Sequence, residues 1–353
     1  MDLIANNKKK KNKTISLYIY IDKSTKKTIK YIRICNANYI NMASIIKNAR
    51  NGLSINESNL ILTELNDSST SPPLRIDGRG ILERRQMKVT CGRRHAQAFA
   101  EVNLGRTRVC CTVSSKIVVP PSEHTREGFL KYNVQFGEAF HGNNSGENLK
   151  SDIEEKGYSI CNILERIFKE SNVIDLETLC IIPGEKVYVI NCHISVLDNS
   201  GNILDAIGYA TFHALKHFRR PFITVVGNVV KEYLENEREP LPLSLHHELL
   251  FTTFGFCVSL STNAGFASLE NNIEGGNSGV DFNNTNKEDD TSKIIAFVDP
   301  TDKEELICKG KLTIVTNSHG ELCGMFKIGG LPIETDMLFN CVNIARTSKN
   351  STS

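Results

Sequence analysis

The side chains most capable of chemistry in this chain fall into two acidic groupings, Asp198 with Asp205, and Asp299 with Glu304 and Glu305 in the run VDPTDKEEL. Paired carboxylates can hold a magnesium ion or divide the work of acid and base. Beside turns the same side chains more often accept hydrogen bonds from free backbone amides, and the sequence favours that capping role here. His246 and His247 are adjacent, so an extended backbone sends them to opposite faces and they cannot readily share one metal. There is no GxGxxG, Walker loop, GxSxG, HExxH or zinc-type cysteine spacing. The common cofactor, nucleophile and metal chemistries therefore have no support, and no cofactor is expected.

The elements that must position these residues follow a regular order. Three β-rich runs, 96–105, 107–119 and 129–136, are punctuated by Gly105, Pro120-Pro121 and Gly137. A helix is predicted over Ser151–Glu170, with Ile160, Ile163, Leu164, Ile167 and Phe168 on one face. A strand over Val187–Leu197 leads through Asp198-Asn199-Ser200-Gly201 into a second helix, about Ile203–Phe218. Pro221 ends that helix, and Arg219 and Arg220 sit where cations complement its carbonyl end. Strands return at 223–230, 249–260 and 293–298. A hairpin pairs 311–316 with 321–328, and a last amphipathic helix covers 333–345.

Around this body lie less regular segments. Lys8–Lys11 belong to a polar tail, a pair of short strands is expected at 15–21 and 28–34, and a helix at Ala43–Lys47. The turn Ser71-Pro72-Pro73 then opens the regular pattern. An asparagine-, glycine- and acid-rich insertion covers 268–292. Hydrophobic residues make up 40% of the chain, charged ones 23%, and the formal net charge is +2. That suffices for a sizeable core, but any nucleic-acid contact must come from locally concentrated cations. The 11 cysteines are scattered, which fits a reducing compartment, and no apolar run approaches the ~20 residues a bilayer span needs. The chain is expected to be soluble and intracellular, with no membrane partner.

Eight collinear motifs carry a resemblance. They are R-I-D-G-R (75–79), N-L-G-R-T-R-V (103–109), E-G (127–128), L-C-I-I-P-G-E-K-V-Y (179–188), D-N-S-G-N-I-L-D-A (198–206), A-L-K-H-F-R-R-P (214–221), P-L-S-L-H-H (242–247) and V-D-P-T-D-K-E-E (298–305). Together they resemble the ribonuclease PH-like ring subunits of the eukaryotic RNA exosome. The likeness covers about residues 55–346, leaving 1–54 as an N-terminal extension and 347–353 as a tail. It implies an α+β ribonuclease PH fold of two similar β-α halves, related to domain two of ribosomal protein S5.

The same resemblance implies partners. They are other ribonuclease PH-like subunits, paired as heterodimers in a six-membered ring, with RNA-binding cap subunits, a hydrolytic exoribonuclease and single-stranded RNA threading the pore. It also implies nuclear (including nucleolar) and cytoplasmic localisation.

Enzymatic members of the family cradle phosphate with a glycine, threonine and arginine run before the second helix, where a helix N-terminus adds donors. This chain has Gly201-Asn202-Ile203-Leu204-Asp205 there. Ile203 and Leu204 offer no donor, and Asp205 is expected to repel an anion by about 1–4 kcal/mol at ~4 Å. Where enzymatic members place metal-binding aspartates, the chain reads Cys308-Lys309-Gly310-Lys311, and neither Lys309 nor Lys311 can ligate magnesium. The resemblance therefore implies the non-catalytic branch, with no catalytic residue and no metal. Asp299 and Glu305 are left with structural roles.

For RNA, the family's pore-facing arginine position, three residues ahead of Glu127, holds His124, which is mostly neutral at pH 7. Arg126 is the favoured contact, with Arg106 and Arg108 behind it. The alternatives are an active phosphorolytic exoribonuclease and a free-standing RNA-binding module. The second lacks an aromatic RNA-recognition motif and a basic stripe.

Overall fold

A computed structural model describes residues 16–20, 31–35, 53–66, 74–258 and 294–347, apart from 96, 122–124, 138–146 and 228. The first sheet contains β3 (Met87–Arg94), β4 (Gln97–Leu104), β5 (Thr107–Val118), β6 (Phe129–Phe136), β7 (Cys180–Ile182) and β8 (Lys186–Asp198). Its order is β3-β4-β5-β8-β6, with β7 paired to the start of β8. Only β6 and β8 run parallel, which requires a long crossover. Helix α2 (Glu147–Glu170) lies within it. The second sheet is antiparallel, ordered β14 (Ile294–Val298), β13 (Leu249–Val258), β15 (Gly310–Asn317), β16 (Leu322–Gly329). It carries the short helix α4 (Asp302–Ile307) and α5 (Thr335–Thr347).

Helix α3 (Ile203–His217) joins the two halves. The inward residues of β4 (Ala98, Ala100, Val102, Leu104) and β5 (Val109, Cys111, Val113) are all buried, and the alanines let α3 come close. On its other side α3 meets β13, where a Cβ on Gly208 would come within 2.6 Å of the Phe251 ring. The buried side chains Ile207, Phe212 and Leu215 therefore serve one core built from both sheets, each worth roughly 1.5–3 kcal/mol of burial.

The structure adds three elements to the sequence reading. Helix α1 (Ile55–Asn66) packs Ile61 and Leu65 against Cys257, Ile295, Phe297 and Cys308, so the packed body begins before Pro72-Pro73. Strand β3 forms the outer edge of the first sheet. The expected strand at 223–230 is instead a hairpin of β10 (Ile223–Val226) and β11 (Val229–Glu232). Arg219 and Arg220 form a two-residue strand, β9, against β12 (Leu241–Pro242), and Arg219 still donates to the α3 carbonyl of Lys216 at 3.1 Å.

The N-terminal strands are present as β1 (Ser16–Tyr20) and β2 (Tyr31–Cys35), paired antiparallel. The basic tail, the helix expected at 43–47 and the insertion at 268–292 lie outside the described residues. No described helix is long and apolar enough to cross a membrane.

Candidate functional site: a groove at the N-terminus of helix α3

The loop 198–202 brings the chain into α3 at the junction of the halves. Gly201 has φ +91°, and a Cβ there would lie 2.4 Å from the carbonyl carbon of Thr301, so only glycine fits. Asn202 follows in the left-handed region, φ 54°, which asparagine tolerates better than most residues. Thr107 Oγ1 donates to Gly201 O at 2.8 Å and accepts from Ser200 N at 3.1 Å. Arg85 donates to Ser200 O and Gly201 O at 2.8 and 3.1 Å.

The inner side of this loop is a buried network. Asn202 Nδ2 donates to Asp299 Oδ1 at 2.7 Å and to Asp205 Oδ2 at 2.9 Å. Asp205 also accepts from Thr253 Oγ1 at 2.6 Å and Thr253 N at 3.1 Å. Asp299 accepts from Arg85 Nη2 at 2.8 Å, Arg85 N at 2.9 Å and Arg79 Nη1 at 3.0 Å. Burial pushes the Asp299 carboxyl up, but the Arg85 contacts outweigh it and hold the group down at about 2. For Asp205 burial wins over Arg84 and the hydrogen bonds, and its carboxyl lies above the usual range.

Nearby, Glu304 accepts from Thr301 N at 2.8 Å in a capping box and pairs with the buried Arg75 at 3.1 Å. Asp198 is exposed and accepts from Asn199 N at 2.8 Å. The carboxylates are thus occupied with backbone amides and arginines, and Asp198 and Asp205 do not form a pair.

The outer side of the same helix end opens into a groove of about 940 Å³ between α2, α3 and β16. Asn202, Ile203, Leu204, Thr253, Glu305, Lys311, Lys156, Phe326 and Ile328 are among its lining residues. Ile203 and Leu204 both line it. Two expectations need correction. Asp205 does not line the groove, because its place in the first turn of α3 aims it at Thr253 on β13. It is therefore a partner of the second sheet and not a charge presented to an incoming anion. Lys309 lies on the exposed turn before β15, outside the groove, whereas Lys311, two residues on, projects into it and pairs with Glu305 at 3.0 Å. Sequence reasoning missed Lys156, which reaches the groove from α2; the only available signal was its place on the polar flank of an amphipathic helix.

The RNA candidates are not brought together. Arg106 is exposed on the β4–β5 turn, and Arg108 is exposed on β5 in an ion pair with Glu101 at 2.8 Å. Arg126 is exposed on the turn after β5, whose position is fixed by the bond from Gly184 N to Thr125 O at 2.8 Å. With ~3.4 Å per strand residue, Arg108 and the far end of β5 are roughly 34 Å apart, so Arg106 and Arg108 cannot serve the point that Arg126 serves. His124 lies outside the described residues. Among the described residues, no cluster of three or more His, Cys, Asp or Glu could hold a metal ion.

Two sheets, a shared helix and a polar loop at its start define a known class. The models for the two domains of the 3′ exoribonuclease family, RNase PH, match residues 83–221 and 289–348, and the chain belongs to that family. More particularly, it is similar to exosome complex components of the RRP45 type. It is 28% identical to RRP45A of Arabidopsis thaliana over 85% of this chain and 84% of that one. It is 31% identical to human RRP45 over 77% of this chain and 53% of that one, so it spans about half of the human relative's length. The fold is also that of an Archaeoglobus fulgidus exosome structure with RNA bound to the active site, with TM-score 0.58, 20% identity, and coverage of 86% of this chain and 95% of the other.

Proposed function

We propose that this chain is a non-catalytic ring subunit of the RNA exosome. It pairs with other ribonuclease PH-like subunits and helps form the pore that passes single-stranded RNA to a hydrolytic 3′–5′ exoribonuclease, beneath RNA-binding cap subunits. The work of such a ring is RNA degradation and processing, including rRNA maturation and mRNA decay, in the nucleus, nucleolus and cytoplasm. Relatives named as exosome components support ring membership.

The observation that carries the silent chemistry is the groove at the start of α3, where the side chains of Ile203 and Leu204 supply no donor and Lys311 ties up Glu305. Phosphorolysis needs a seat for attacking phosphate and an anionic oxygen set for a metal, and these side chains provide neither. Arg126 is the cation assigned to RNA, as one phosphate contact among several around a pore.

Two measurements test this reading. Purified chain incubated with labelled RNA, magnesium and inorganic phosphate should release no nucleoside diphosphate; release would establish the phosphorolytic exoribonuclease instead. Tagged chain should co-purify with ribonuclease PH-like subunits, and its recovery alone would remove the ring assignment.

A further inference from the structure

The groove already contains an anion of the protein's own. Asn202 supplies no side-chain cap to α3, and its backbone N–H donates instead to Glu305 Oε1 at 2.8 Å. Glu305 belongs to α4, 103 residues away in sequence, so this is tertiary capping of one helix by another. Lys311 Nζ lies 3.0 Å from the other carboxylate oxygen. Lys156 lines the same groove with its ammonium 5.8 Å from the Phe136 ring centroid. Burial pushes the Glu305 carboxyl up, but Lys311 and the Asn202 amide together bring it below its usual range. Burial, then Lys311, lower the Lys156 ammonium. A helix N-terminus with one ammonium group in contact and a second lining the same groove attracts a single oxyanion, and here Glu305 of the chain itself sits there.

We propose that Glu305 is a built-in oxyanion, holding the anion position at the start of α3 with Lys311 and Lys156 as its cations, so that free carboxylates and phosphates find that position taken. This rests on the reading of the groove as chemically silent and gives that silence a second cause besides Ile203 and Leu204.

The test is chemical rescue. Glu305→Ala removes the internal anion, and its thermal midpoint should fall by roughly 4 °C or more. Formate or inorganic phosphate, added against chloride at matched ionic strength, should restore most of that fall saturably in E305A and shift the wild type no more than chloride does. E305A combined with Lys311→Met should lose the rescue. Indifference of E305A to both anions, or equal stabilisation of the wild type, would overturn the proposal.

Should E305A not fold, E305Q keeps an acceptor for Asn202 N–H without the charge. Line broadening of 13C-formate by E305Q but not by wild type is then expected, and its absence in both counts against the idea. Failed rescue leaves ring co-purification and the nuclease result untouched, whereas nucleoside diphosphate release by the wild type would sink the silent-site reading whatever the rescue shows.

Discussion

The two sides of the first turn of α3 are made of different materials. Inward, Asp205, Asp299, Asn202, Arg85 and Arg79 form a closed polar network in which the carboxylates are nearly inaccessible to water. Outward, Ile203 and Leu204 line an open groove whose only close ion pair among the described residues at that end is Glu305 with Lys311. The inner face spends its polarity on joining two sheets, so what it does is structural. The outer face sets two apolar side chains beside one ion pair at the edge of an open cavity, so its polarity joins a helix end to α4 and β15.

The contrast can be broken from the inner side first. Asp299→Ala would strand two arginines in a buried setting, and should cost roughly 3–5 kcal/mol in urea unfolding. A loss below about 1 kcal/mol would mean that the network is dispensable.

Acid should act in the same place. The folded Asp299 value, about 2, lies below its ordinary 3.8, so its contribution is full above pH ~4 and disappears as pH falls towards 2. The shift corresponds to about 2 kcal/mol. Asp205 has the opposite sign: its raised value makes its proton-linked contribution one that is present at low pH and lost as pH rises through the folded value. Asp299→Asn should therefore flatten the decline in unfolding midpoint between pH 4 and 2, while D205N should not.

Gly201→Ala comes next, with a loss above about 1 kcal/mol, since the positive φ and the nearby backbone both reject a Cβ. Leu204→Arg on the outer face should change stability by less than about 1 kcal/mol and should not by itself create phosphate-dependent RNA digestion. The smallest effect belongs to the loop ends. R126A and R108A should each leave stability within about 0.5 kcal/mol, but only R126A should weaken salt-sensitive RNA retention by the assembled ring in filter binding.

The long strands β4, β5 and β8 and the helices α2 and α3 were legible because alternation and helical spacing recur over many residues. Helix α1 was not, since among its described side chains only Ile61 and Leu65 are fully buried and INESNLILTELN gives a weak periodic signal. Strand β3 is an edge with mixed exposure, and the six residues of α4 are too few for periodicity to register. At the site, the types of Ile203, Leu204 and Lys311 could be read directly. The direction of Asp205 could not, because it is decided by Thr253, 48 residues on. Nor could the separation of Lys309 from Lys311, which depends on where β15 begins.

Helix α3 has no face of its own for solvent over most of its length, as residues 205–212 are buried throughout. A nascent chain that has just completed the first sheet therefore carries a sticky helix whose cover, Phe251 on β13 and its neighbour β15, is still to be synthesised. Excising either half would strip α3 of part of its cover. Until residue 317 has been made, the share of the α3 core that β13 and β15 contribute is missing.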